Sequence, residues 1–511
     1  MKFTLNGLKL EILFLFQFSA TKNLGKFPAI WGLPIFTIMA RLSSGNVAIP
    51  NFRVPGEKLI FRHQKIRLFM LFKNLLLAMI PAILFSCVSG TSESDEHVEL
   101  DNIARDYVKL GLTIGQYDGD FVDAYYGPDS LKPTGKPEAA FPKDSLLGQA
   151  AQLKKQLSEL AAKSKNDTII HRTGWLTSQL TAFERRIKIF SGEYAPFDIE
   201  SKELFDAVAP EYPEQHFQDL ISKLNHILPG KGTLPERFQS LAAHFLIPEN
   251  KIDTVFQAAI AEARKRTLQH YKMPAQEKFT MEYVTDKPWS GYNWYKGNYN
   301  SVIQINVSQP IFIERAIDLA CHEGYPGHHV FNAMLEEKLY HDKGWMEISL
   351  YPLFSPQSLI AEGSANYGIS VAFPGDEQKN FCKEVLIPLA GLDTAKTDAY
   401  FEALEIKSEL NYARNEVARG LLNNSMKDEE AQRWLTDYCL LTPKGATDYL
   451  RFIKKYRSYV INYNYGQDLV KQYIESKGGT ADNPARRWEL FGELLSNQVK
   501  ASDLTKSLPA K

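Results

Sequence analysis

The chain has 511 residues, with 59 Lys and Arg against 60 Asp and Glu, a formal net charge of −1. That balance supplies no basic field for nucleic acid, which is excluded as a partner. A hydrophobic fraction of 44% with 12% aromatics excludes a disordered chain, and the length is ample for a large core.

Residues 1–69 are apolar-rich but carry no helical or strand period, and are expected to be an upstream extension from a misplaced start. Residues 70–87 read as a lipoprotein signal. Lys73 gives a basic start, and the apolar run 75–85 is too short to span a bilayer. Leu84-Phe85-Ser86-Cys87 then ends it before a Ser/Gly-rich stretch. The expectation is a lipid on Cys87, a tether over 88–100, and a mature protein anchored to a membrane of the bacterial cell envelope. Cys321, Cys382 and Cys439 are an odd, widely spaced remainder, so no disulfide framework is expected; Cys321 reads as a small packed residue.

Residues 101–275 form a helical half, with apolar period and Pro/Gly punctuation predicting helices over 146–162, 175–190, 198–209, 213–226, 234–245 and 251–271. Residues 276–505 form a second half, packed with the first as one unit. There, 279–284 and 302–307 read as strands, the latter by alternation, and 289–300 as an aromatic, Gly/Asn-rich loop. Ser308-Gln309-Pro310 is read as the cap of a helix over 311–325. A strand leading into that helix matters, because an edge strand beside a hydrolytic site can pair with an extended substrate backbone.

The helix ends in Cys321-His322-Glu323-Gly324-Tyr325-Pro326-Gly327-His328-His329, which holds three of the chain's eleven histidines. Imidazole and carboxylate are the ligand set that suits zinc. On a straight helix His328 lies about 600° round from His322, nearly the opposite face, and His329 about 10 Å further along. A shared ion therefore requires the helix to bulge or break at Pro326-Gly327. Proline lacks an N–H and clashes with the preceding turn; glycine accepts a positive φ. Whether His328 or His329 returns to His322 stays open. The bland alternative is a turn with solvated imidazoles.

Further on, 330–339 reads as helix, and Ser355-Pro356 has N-cap then N1 chemistry. The helix it opens carries Glu362 among small and apolar residues, an acid that must be paired, surface-facing or a ligand. With the upstream histidines it is the natural third ligand, giving a His-His-Glu set with one position left for water. Residues 398–438 and 446–500 are again helical. Tyr367, Arg414 and Tyr463 are candidate transition-state donors.

His322-Glu323-Gly324-Tyr325-Pro326-Gly327-His328-His329, followed by Glu362-Gly363-x-Ala365-x-Tyr367, resembles the bacterial family called domain of unknown function 885, grouped with the zincin-like metallopeptidases. Tyr125-Tyr126-Gly127-Pro128, Leu228-Pro229-Gly230, Arg264-Lys265-Arg266-Thr267 and Tyr463-x-x-Gly466 extend the resemblance. It implies a mainly α, large helical zincin-like protein with a small β-sheet beside the active-site helix. It implies one zinc ion per chain on His322, His328 and Glu362, with Glu323 as general base, acting on a peptide-like substrate. Ala413-Arg414 keeps the family pattern, while Ala418 and Leu422 replace its Asp and His. The competing reading is a cell-surface lipoprotein that binds peptides or cell-wall fragments through the aromatic loop and has a vestigial metal site.

Overall fold

Helices dominate the computed structural model, which describes residues 2–5, 8–12, 40–42, 93–137, 139–287 and 289–506. The signal-like stretch and Cys87 lie outside the described residues. Contacts divide the chain into Met1–Gly90 and Thr91–Lys511. In the first unit β1 (Lys2–Leu5), β2 (Leu8–Ile12) and β3 (Ala40–Leu42) pair antiparallel. Among the described residues no helix is long and apolar enough to cross a membrane.

The second unit opens with α1 (Glu93–Gly115), which begins inside the stretch read as a tether; Leu100 is fully buried there and Glu96 accepts from the Ser164 hydroxyl at 2.7 Å. A short strand, β4 (Val122–Tyr125), follows. Next come α2 (Lys143–Lys163), α3 (Asp167–Phe190), α4 (Phe197–Phe205), α5 (Glu214–Ile227), α6 (Leu234–Ala242) and α7 (Ile252–Leu268). Local chemistry sets their ends. Asn166 caps α3 through the N–H groups of Thr168 and Ile169, and Thr233 with Glu236 makes a reciprocal capping box on α6. Leu146, Leu153, Leu157 and Leu160 make the buried stripe of α2, the 3.6-residue period seen in the sequence.

A three-stranded sheet then backs the metal-motif helix. Its order is β5 (Lys278–Val284), β7 (Asn300–Asn306), β6 (Gly291–Gly297), with β7 parallel to β5 and antiparallel to β6. Three expectations are corrected here. The stretch 289–300 is not a loop, because it contains β6. Its turn residues Asn298 and Tyr299 take φ of 51° and 59°, held by the Glu336 carboxylate, which accepts from their N–H groups at 2.8 and 3.1 Å. The strand entering the motif helix, β7, is central, so β6 is the edge beside the site. Nor do residues 308–310 cap the helix: α8 (Ile313–Leu319) has Phe312 at its N-cap, and the Ser308 hydroxyl donates to Asn306 Oδ1 at 2.6 Å.

After α8 come a π-turn (Ala320–Gly324) and α9 (His328–Leu335). The strand β8 (Leu350–Pro352) pairs with β4, and α10 (Pro356–Ala372) carries Glu362. The remainder is helical: α11 (Thr397–Leu410), α12 (Ala413–Leu422), α13 (Asp428–Asp437), α14 (Pro443–Tyr456), α15 (Ile461–Ser476) and α16 (Pro484–Leu495). Arg172 of α3 is buried and forks onto Glu347 at 2.6 and 2.8 Å, tying the helical half to the segment before β8.

Helices α10 and α15 touch backbone to backbone. A Cβ on Gly363 would lie 2.4 Å from the carbonyl of Gly466, and one on Gly466 would lie 2.9 Å from the Leu359 oxygen. Two glycines far apart in sequence thus share one physical reason. Gly363→Ala is expected to destabilise the fold by about 1–3 kcal/mol, the usual cost of overpacking. Thermal unfolding checks this; an unchanged melting temperature would contradict the contact.

Candidate metal centre

The helix breaks where the sequence requires it to, by a different device from the one expected. Residues 320–324 wind as a π-turn, closed by the Tyr325 N–H donating to the Ala320 oxygen at 3.0 Å. The Tyr325–Pro326 peptide is cis. Gly327 then caps α9 at φ −78°, not in the left-handed region. Glycine is needed there for space: a Cβ would stand 2.0 Å from the His322 oxygen and 2.4 Å from that of Cys321.

The result answers which histidine returns. His328 Nε2 sits 3.1 Å from His322 Nε2, with the rings perpendicular at 89°. Glu362 Oε2 lies 3.3 Å from the first nitrogen and 3.7 Å from the second. His329 turns away. Fully buried, its Nε2 donates to Glu277 Oε1 at 2.7 Å and its Nδ1 shares a hydrogen bond of 2.8 Å with the Ser301 hydroxyl. Tyr325 also donates to Glu277, and Arg264 donates to the Tyr325 oxygen at 3.2 Å.

The three converging atoms pass a test of fit. A tetrahedral ion with bonds of about 2.0–2.1 Å to nitrogen and oxygen needs donor atoms about 3.3 Å apart, and the triangle here measures 3.1, 3.3 and 3.7 Å. Glu362 Oε2 is a buried atom with no hydrogen-bond donor, which is costly unless something else meets it. His322, Glu323 and His328 also bring one donor atom each within 4.8 Å of one another, a cluster that could hold a metal ion. Of the two carboxylates, Glu362 has the closer fit to both imidazoles.

Supporting contacts orient these groups. Asn366 Nδ2 donates to the Tyr463 carbonyl at 2.7 Å, which turns its Oδ1 to accept from His322 Nδ1 at 2.9 Å. Nδ1 thus carries the proton and Nε2 keeps its lone pair for the centre. Tyr459 donates to Glu362 Oε1 at 2.9 Å, and Ser358 donates to Tyr459 at 3.1 Å. Asn293 of β6 donates to the Glu323 carbonyl at 2.7 Å. Burial works to raise the Glu362 pKa, but His322 and His328 hold it well below the usual carboxylate range. Burial lowers His328, yet Glu362, Glu323 and Asp123 outweigh it and push it up to about 9. Burial raises Glu323.

Of the three candidate donors, one stands at the site. Tyr463 feels the charges of Glu362 and Glu323, is 36% exposed, and its ring lies 5.7 Å from that of Tyr459. Tyr367 lies elsewhere: five residues past Glu362 is about 500° of helix, a different face, and its ring packs on Phe491. Arg414 holds its guanidinium 4.3 Å over the Tyr449 ring. Cys321, Cys382 and Cys439 are free and buried, and burial raises the Cys321 thiol far from reactivity.

Sequence reasoning missed Asn366, Tyr459 and Asp123. Asn366 is four residues after Glu362, one helical turn on, and that spacing was available as a signal. Tyr459 and Asp123 come from distant segments, close to Tyr463-x-x-Gly466 and Tyr125-Tyr126-Gly127-Pro128, runs that extend the resemblance without giving either residue a role.

No family model and no curated protein matches the chain, so the resemblance drawn from the H-E-x-x-P-G-H-H and E-G-x-A-x-Y runs rests on those runs. Solved structures give distant likenesses. A protein of Colwellia psychrerythraea provisionally described as a lipoprotein aligns at TM-score 0.45 and 16% identity, over 71% of this chain and 69% of that one. An M32 carboxypeptidase from Deinococcus radiodurans R1 aligns at TM-score 0.44 and 12% identity, over 81% and 95%. Metallocarboxypeptidase 1 of Trypanosoma cruzi aligns at 0.33 and 11%, over 81% and 95%.

Proposed function

We propose that the protein is a zinc-dependent hydrolase acting on peptide bonds, with His322, His328 and Glu362 holding the ion. The observation that carries this reading is the triangle of two imidazole nitrogens and one otherwise unpartnered carboxylate oxygen. When bound, zinc supplies Lewis acidity that polarises a carbonyl and makes water acidic enough to attack near neutral pH. Glu323, next in sequence to His322 and buried beside both imidazoles, takes the proton of the attacking water and delivers it to the departing amine. Tyr463, within electrostatic reach of Glu362 and Glu323, is the donor we assign to the oxyanion. The edge of β6, which pairs with β7 alone among the described strands and whose Gly291 and Asn293 lie against Glu323, is suited to pair with an extended peptide backbone. Export and lipid attachment at Cys87 belong to the same proposal and rest on the run 75–87 of the sequence.

Elemental analysis with product mapping on a mixed peptide library tests the reading. One zinc per chain and discrete cleavage are the expected results. His322→Ala, His328→Ala and Glu362→Ala should each lower zinc affinity by more than the about 10–100-fold typical of losing a supporting residue. Zinc without cleavage would favour the peptide-binding alternative; no zinc at all would refute both the ligand set and the hydrolase.

A further inference from the structure

Asp123 has no part in the hydrolytic scheme, yet it is built into the same cleft. It lies on β4 and accepts a hydrogen bond from the Tyr292 hydroxyl of β6. Tyr292 itself feels the charge of Glu362 as well as that of Asp123. Asp123 is electrostatically in reach of His328, Glu362 and Glu323. Tyr292 is its one hydrogen-bond donor among the described residues, and its second oxygen is not sealed from solvent.

Charge makes this arrangement specific. Asp123, Glu323 and Glu362 are three carboxylates in one cleft, and a divalent ion offsets two of their charges. Glu323 feels His322 and His328, which turn to the ion when it is bound, and then Arg315, already engaged with Asp318 at 3.1 Å and with Ser290 at 3.2 Å. One negative charge is left over, on a half-buried carboxylate with a single phenol for company. Such a group calls for a cationic, multi-donor partner. An ammonium supplies three donors and the missing charge.

We propose that Asp123, held in place by Tyr292, receives an ammonium group of the substrate, so that this site selects peptides bearing a free amine close to the scissile bond. This deepens the peptidase reading and rests on it. The amine is the peptide's own N-terminus or a lysine side chain; both offer the same chemistry and a matched set of peptides separates them.

Binding is measured by calorimetry to zinc-loaded, turnover-deficient Glu323→Gln, and kcat and KM in the wild type, on four short peptides: free or N-acetylated, with lysine or norleucine as the first residue. The expected result is at least 10-fold tighter binding and lower KM for the peptide carrying the recognised amine. A preference abolished by acetylation identifies the N-terminus; one that survives acetylation and follows lysine identifies the side chain. Asp123→Asn should bring the ratio close to one, and Tyr292→Phe should reduce it, with melting temperature and zinc content recorded for each. The comparison in protein with Asp123 intact is decisive even if a variant misfolds. Equal binding and cleavage of all four peptides would overturn the proposal. Amine-selective binding without any cleavage would instead remove the hydrolase and leave the recognition site standing.

Discussion

Glu323→Gln is expected to keep its zinc and its fold while losing about 10²–10⁴ of kcat, the range for removing a general base. Glutamine matches the carboxylate in size, so the fit against Gly291, where even a methyl group would approach Oε1 to 3.0 Å, is preserved. It cannot accept the proton of water. The Glu323 side chain is not one of the three atoms of the close triangle, so metal content should not fall with activity. Side-by-side elemental analysis and steady-state kinetics read the two quantities independently. Full turnover in the variant would remove Glu323 from its role; loss of zinc would make it a ligand, with Glu362 supporting.

The second large effect is expected at Gly327. Alanine there would bring a methyl group to 2.0 Å from one backbone oxygen and 2.4 Å from another. Neither oxygen belongs to a flexible side chain, so the chain between His322 and His328 must open. Such strain exceeds the about 1–3 kcal/mol of ordinary overpacking. The same movement would part the two imidazoles, now 3.1 Å apart. Gly327→Ala should therefore lower the melting temperature and zinc occupancy together, whereas His328→Ala should lower occupancy with a smaller effect on unfolding. A Gly327→Ala protein that binds zinc normally would contradict the geometry of the turn.

Much of this was readable in the sequence because the controlling forces are local. The impossible angles of a straight helix demanded a break between His322 and His328, and proline with glycine marked its place. Glu362 stood out as an acid in an apolar helix. What stayed hidden depends on contacts across the fold. Gly327 looked like a residue for positive φ, when its constraint is two carbonyl oxygens five and six residues back. The strand β6 looked like a loop because Glu336, more than thirty residues on, holds its turn. Tyr367 was singled out by its nearness to Glu362, and the tertiary packing sets its ring on Phe491. Asp123 comes from the helical half, beside the Tyr125-Tyr126-Gly127-Pro128 run, which carries no acid of its own to point to it.

The inner imidazole of the His328-His329 pair carries a lesson for engineering. Glu277 and Ser301 grip it from behind, and Tyr325 with Arg264 brace Glu277 in turn. A designer who transplanted only the nine-residue motif to a new scaffold would move the blade and leave the handle. Without that rear mount the turn would have nothing to bolt to, and its outward-facing partner would swing free of the ion it is meant to hold.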